Sequence, residues 1–437
     1  MAPSDSIAIL PPEREAVQSV AGSPRRKSLQ ALVLGGSIVM LMNTTVVSTI
    51  NFVYNVVMAR MLGPSRFGHV TALVTLLMLS SAVTLAFQMV CAKFVARNAT
   101  AGAKAGVYRS LLGKAWMVGL ALGGALFAAQ RPMAAFLHLP DPRMLGLLAL
   151  GIAAYVPLGV RRGAMQGLCS FRRLSASFIV EALTRLGTAA LLVALGYGEL
   201  GAVGAICLAV LASYCVSGLG PELRVRSERG HPASFGEGIQ AIVFFVGQVI
   251  ICNTDVLVVK HFFAPEMAGL YAAVALVGRL LYFSSWSVVS VMFPVSAAVH
   301  SKNKNEDPKV VLLPLLVVMG LAVAFILTLS FFPHFVIHTI FGREFHQGEP
   351  LLALYAVATG LYSLSVVIMA YEMSRRIANT GWLQLIFSGV LVMAIGVFHG
   401  TLREVILVQI VLMATLLALV SFPFLRRHRQ ALVPEAA

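Results

Sequence analysis

Arg279 stands in "AVALVGRLLYFSSW", an apolar run with a single charge. At the helical step of about 100° per residue, Tyr282, Trp286 and Ser290 share its face. A guanidinium beside aromatic and hydroxyl groups suits a diphosphate or a sugar, because Arg grips phosphate oxygens two at a time. The alternative is structural, with Arg279 neutralised by a carboxylate or by helix carbonyls. Asp255 brings the opposite chemistry. A carboxylate in an apolar run can take up a proton or Na⁺ and couple it to movement. It can equally hold Lys260 or a packing hydrogen bond. Glu237, Gln240 and Gln248 continue its stripe along the same helix.

Three further groups are polar where the chain is otherwise greasy. Glu181 and Arg185 form an i,i+4 pair with Thr184 and Thr188 on one face, either a self-neutralised pair or a second diphosphate ligand. Arg161 and Arg162, with Gln166, follow Pro157; they line a vestibule or snorkel to lipid headgroups. Thr44, Ser48, Asn51 and Asn55 form a stripe that either joins helices or meets sugar hydroxyls. The candidate substrate ligands are therefore Arg279, Tyr282, Trp286, Arg185, Arg161, Asn51 and Asn55. Asp255 is the candidate for a coupling ion. No catalytic residue, metal ligand or cofactor is expected, because no nucleophile–base set, CxxC or HExxH occurs.

These residues must be positioned by membrane helices. Hydrophobic residues make up 58% of 437, charged residues 12%, and the mean hydropathy is +0.86. A soluble chain carries roughly 25% charged residues. Apolar runs long enough to cross a bilayer recur throughout, and such runs are helices because lipid offers their backbone no partner. The expectation is an all-α polytopic membrane protein of about 12 transmembrane helices. Their centres fall near Val46, Leu79, Leu120, Ile152, Ala189, Val210, Ile250, Ser287, Val323, Leu364, Leu391 and Leu412. The five cysteines lie in or beside apolar runs and read as small buried hydrophobes.

Alternate connections carry about 22 of the 33 Lys and Arg residues, the opposite set about seven, which places both termini in the cytoplasm. The net charge of +15 thus reflects cytoplasmic loops rather than a nucleic-acid partner. Residues 1–28, polar and ending near Arg25-Arg26-Lys27, read as a disordered cytoplasmic tail, and 427–437 as a second tail. No connection is large enough for a catalytic domain.

The chain also echoes itself. "GPSRFG" (Gly63 to Gly68) returns as "APEMAG" (Ala264 to Gly269), "FLHLPDP" (Phe136 to Pro142) as "IFGREF" (Ile340 to Phe345), and "FRRL" (Phe171 to Leu174) as "SRRI" (Ser374 to Ile377). One order and a near-constant offset argue for duplication. Six spans per copy make the repeat parallel, with bundles at 29–230 and 231–426. In such proteins the substrate site lies between the halves and access alternates.

"MARMLGPSRFGHVTALVTLL", "FLHLPDPRMLGLLAL", "NTDVLVVKHFFAPEMAGLYAAVALVGRLLYF" and "TIFGREF" resemble the polysaccharide-biosynthesis, O-antigen (Wzx-like) flippase family of the multidrug/oligosaccharidyl-lipid/polysaccharide exporter superfamily. The likeness runs over roughly residues 30 to 425. It implies two six-helix bundles in a V around a cavity. It also implies export of a polyprenyl-pyrophosphate-linked oligosaccharide across a bacterial inner membrane, for surface polysaccharide. Partners would be that cargo, membrane lipids, and glycosyltransferases and a polymerase of the same pathway, with Na⁺ or H⁺ as coupling ion. Two other readings compete: a cation-coupled drug or small-molecule exporter of the same superfamily, and a membrane polysaccharide polymerase or ligase. The excess of basic residues in the spans favours an anionic cargo. "GYGELG" (Gly196 to Gly201) fits a dinucleotide fingerprint but joins two membrane helices, so it reads as a turn.

Overall fold

The computed structural model describes the backbone of residues 24–218, 239–302, 309–374 and 380–432, with 223, 225, 226 and 228 between. The outer parts of both expected tails, Glu237, Arg375-Arg376 and the side chains of Gln240, Trp286 and Ser290 lie outside the described residues. The first half contains α1 (Pro24–Arg97), α2 (Ala101–Ala128), α3 (Gln130–Phe136), α4 (Arg143–Gly167), α5 (Phe171–Leu192) and α6 (Gly198–Val216). The second contains α7 (Ile239–Ile251), α8 (Thr254–Phe262), α9 (Pro265–Lys302), α10 (Lys309–Phe331) and α11 (Pro333–Ile340). It closes with α12 (Glu349–Ser374), α13 (Thr380–Val397) and α14 (Leu402–Leu432).

Among the described residues, nine helical stretches are long and apolar enough to cross a membrane. Two of them, Met42–Arg97 and Phe171–Val216, contain two passes each, and the shorter Gly381–Val397 adds another. The protein is thus an all-helical, multi-pass membrane protein with the twelve expected passes. Lipid-facing surface follows composition: Leu313, Leu316, Val317 and Val323 of α10 are all exposed.

The duplication is visible in the elements. α1 turns at Gly63, whose φ of 70° suits glycine, and resumes at Pro64. Its counterpart is the break before Pro265, at the start of α9. The third pass of each half is followed by a short helix, α3 or α11, before the next pass begins. The "GYGELG" stretch is indeed a turn: Gly196 and Gly198 have φ of 93° and 51° between α5 and α6.

Three apolar cores show how the halves meet. One runs through both, joining Met58, Phe67 and Leu73 of α1 to Tyr271, Val274 and Tyr355. A second, with Phe244, Val289, Val366 and Leu416, belongs to the second half alone. The third, with Phe87, Phe94, Tyr108 and Val160, belongs to the first half apart from Ile242 at its edge. The shared core sits at the end where few basic residues lie, beside the paired hairpins Gly63–Gly68 and Ala264–Gly269. Towards the basic end the cores separate.

Candidate functional site

Each half builds one buried polar centre. In the second half the seventh pass is broken: α7 ends at Ile251 and α8 restarts at Thr254. The break sets Asp255 in the first turn of α8, at the end where helix amides favour negative charge. Asp255 is 3% exposed. Its carboxylate accepts hydrogen bonds from the hydroxyls of Tyr271 at 2.9 Å and Tyr355 at 2.8 Å. Gln409 donates to the same oxygen at 3.4 Å and to the Tyr271 hydroxyl at 2.6 Å. Arg279 meets the other carboxylate oxygen at 3.3 Å. A cavity of about 50 Å³ opens beside this cluster, lined by Asp255, Arg279, Tyr282, Tyr362 and Gln409 among others. Tyr282 stacks on Tyr362 at 5.8 Å between ring centroids.

The first half centres on Glu181. Arg162, 2% exposed, donates to its carboxylate at 2.6 Å, to Ser213 Oγ at 2.9 Å and to Ser177 Oγ at 3.0 Å. Arg185 reaches the same carboxylate at 3.8 Å and donates to Asn51 Oδ1 at 2.8 Å. Its Nε is buried without a hydrogen-bond partner. Arg161 caps the Tyr214 carbonyl and lies over that residue's ring, 3.5 Å from the centroid. Asn55 donates to the Asn51 carbonyl at 2.8 Å, one turn back on α1. Gly163 of α4 lies against the Gln88 carbonyl with no room for a Cβ, so α4 packs closely on the second pass of α1 beside Arg162.

The sequence-predicted residues therefore fall in two sets. Arg279, Tyr282 and Asp255 share one cavity wall. Arg185 and Asn51 meet in the other half, with Asn55 one turn along and Arg161 turned to Tyr214. Two pairings differ from those the spacing suggests. Asp255 takes Arg279 rather than Lys260, whose Nζ is buried and unpartnered. Glu181 holds Arg162 more closely than its i,i+4 neighbour. Tyr271, Tyr355 and Gln409 were not singled out by the sequence; only Gln409, a polar residue in the apolar run "LVQIVL", carried a signal.

The Arg162–Glu181 pair is expected to hold the first half together. Arg162→Leu leaves a buried carboxylate short of its main partner and should cost about 3–5 kcal/mol. Thermal unfolding in detergent would register the loss, and adding Glu181→Leu should not recover it, because buried Arg185 then loses its carboxylate. An unchanged midpoint in Arg162→Leu would contradict this assignment.

A profile of the family described as polysaccharide biosynthesis protein matches residues 33–300, more than half of the chain. The chain belongs to this family. Solved structures agree with the fold of this polysaccharide-biosynthesis protein. An inward-facing multidrug resistance MATE family transporter of the MOP superfamily superposes with a TM-score of 0.71, over 92% of this chain and 99% of its own, at 14% identity. The outward-facing conformation of such a transporter gives 0.59, over 91% and 96%, at 14% identity. A MOP superfamily transporter from Pyrococcus furiosus Vc1 (DSM3638), described as having a binding pocket of reverse polarity, gives 0.62 over 91% and 96%, at 14% identity. No curated protein matches the chain by sequence. At these identities the likeness shows a shared fold.

Proposed function

We propose that this polysaccharide-biosynthesis protein moves a polyprenyl-pyrophosphate-linked oligosaccharide across the bacterial inner membrane by alternating access. The observation that carries this reading is a surplus of buried positive charge. In the first half two buried guanidinium groups, of Arg162 and Arg185, share the single carboxylate of Glu181, and Arg161 beside them is turned to Tyr214. In the second half Arg279 is matched by Asp255. The unpartnered Arg185 Nε, with Asn51 and Asn55 nearby, suits a diphosphate followed by sugar hydroxyls. A cationic drug would need the opposite sign.

The separation of the cores towards the basic end supports a cleft open to the cytoplasm, if basic loops stay inside. The better superposition on the inward-facing transporter supports the same state. In this scheme the bundles 29–230 and 231–426 rock about the shared core, both termini remain cytoplasmic, and the polyprenyl chain stays in lipid. Asp255 takes up Na⁺ or H⁺ once Arg279 has moved away. Glycosyltransferases supply the cargo and a polymerase consumes it. Arg185→Ala is expected to lower surface polymer at least about tenfold at normal protein level, the scale of one lost charge-assisted contact. Arg185→Lys should retain part of it. Unchanged polymer in Arg185→Ala would overturn the assignment, and gain of drug resistance in an efflux-deficient host would favour the drug exporter.

A further inference from the structure

The short helix α11 carries a site that the transport cycle does not use. α10 ends in Phe331, Phe332 follows it, and Phe335 lies on α11; these are 73%, 60% and 67% exposed. Exposed phenylalanines at the end of a membrane pass mark the edge of the hydrocarbon, where the headgroup layer begins. α11 and the turn after it line a recess of about 430 Å³ with His334, His338, Arg343, His346 and Glu349.

The pairing inside the recess leaves one cation over. His334 Nδ1 lies 2.9 Å from Glu349 Oε1, so the carboxylate already has a partner. Arg343 Nε donates to His338 Nε2 at 3.2 Å, which holds the guanidinium in place. The terminal nitrogens of Arg343 have no hydrogen-bond partner among the described residues. His346 Nδ1 lies 3.1 Å from the Arg343 carbonyl, adding a third imidazole to the wall. Among the described residues no three His, Cys, Asp or Glu side chains are grouped to hold a metal ion. An exposed guanidinium with free terminal donors and imidazoles around it suits a phosphate oxygen pair instead.

We propose that this recess binds the phosphate group of an anionic lipid, at headgroup depth beside the exposed phenylalanines. The site has a structural consequence, because its loop also closes the seam between the halves. Arg60 of α1 donates to the Ile340 carbonyl at 2.8 Å and to that of Thr339. Phe67 packs edge-on against Phe345 with centroids 6.1 Å apart. A phosphate held by Arg343 therefore steadies the segment that the first half grips.

The test uses the full chain in detergent, exchanged with short-chain phosphatidylglycerol or phosphatidylcholine and read by native mass spectrometry. Phosphatidylglycerol should be retained about tenfold better than phosphatidylcholine, and Arg343→Gln should remove that preference, as the loss of one charged hydrogen bond requires. Arg343→Lys should keep part of it. His338→Ala, which frees the guanidinium, should weaken retention and serves where Arg343→Gln fails to accumulate. Competition by inorganic phosphate would identify a site for free phosphate as well as lipid. Retention despite phosphate would identify the lipid as its source, and both outcomes support the proposal. Equal retention of the two lipids, or a preference unchanged in both Arg343→Gln and His338→Ala, overturns it. Because binding is read without transport, either failure leaves the flippase reading standing.

Discussion

Asp255→Asn is expected to abolish export and to lower the stability of the second half. Asp255 is the acceptor for two tyrosine hydroxyls, one amide and one guanidinium drawn from α9, α12 and α14. Removing its charge keeps the shape but leaves Arg279 as a cation whose side chain is only 18% exposed. Breaking a buried pair from one side costs about 3–5 kcal/mol, a large share of any domain's stability. Adding Arg279→Gln removes the stranded charge, so the double variant should recover its unfolding midpoint and its abundance. Export should stay absent, because the proposed ion exchange needs the carboxylate itself. Polymer at the cell surface and the unfolding midpoint in detergent, measured on the wild type and both variants, separate the two effects. A double variant that exports at the wild-type rate would reduce the pair to a packing device.

The passes were legible because each is a long apolar run, and the parallel duplication was legible because its turns reuse Gly and Pro at nearly the same offset. The break between α7 and α8 was not. Cys252 and Asn253 interrupt the backbone, but the apolar residues on either side keep the hydropathy of the stretch high, so it reads as one continuous helix. The partners of Asp255 were hidden for a different reason. Tyr271, Tyr355 and Gln409 stand 16, 100 and 154 residues away in the chain. Tyrosine in a membrane pass is too common to mark itself. Sequence spacing ranks near neighbours first, which is why it offered Lys260 for Asp255 and Arg185 for Glu181. The fold instead supplies Arg279 and Arg162, across helix–helix contacts. The second half draws attention in the sequence because Asp255 and Arg279 flank its hairpin. Their mutual neutralisation moves the surplus charge to Arg185 and its neighbours in the first half.

Gly269→Ala is expected to keep the two hairpins apart. The echoing turns are not merely similar; they pack on one another. A Cβ on Gly269 would overlap the Pro64 carbonyl, and one on Gly68 would stand 2.8 Å from the Pro265 carbonyl and 2.9 Å from the Gly269 nitrogen. Both obstacles are backbone, so no side-chain rotation relieves them. The strain falls only on the conformation in which the halves touch here. About 1.4 kcal/mol of strain shifts a two-state equilibrium about tenfold, and an overlap with backbone exceeds that. Population should move towards the state open at this end. Phe67, 1% exposed in the seam, offers a reporter: a cysteine placed there, with the native cysteines replaced, should react with an impermeant maleimide at least about tenfold faster in Gly269→Ala. Polymer export should fall with it, since a transporter that cannot close one side cannot complete its cycle. Equal labelling and equal export would show that the hairpins part easily and that the shared core alone holds the halves together.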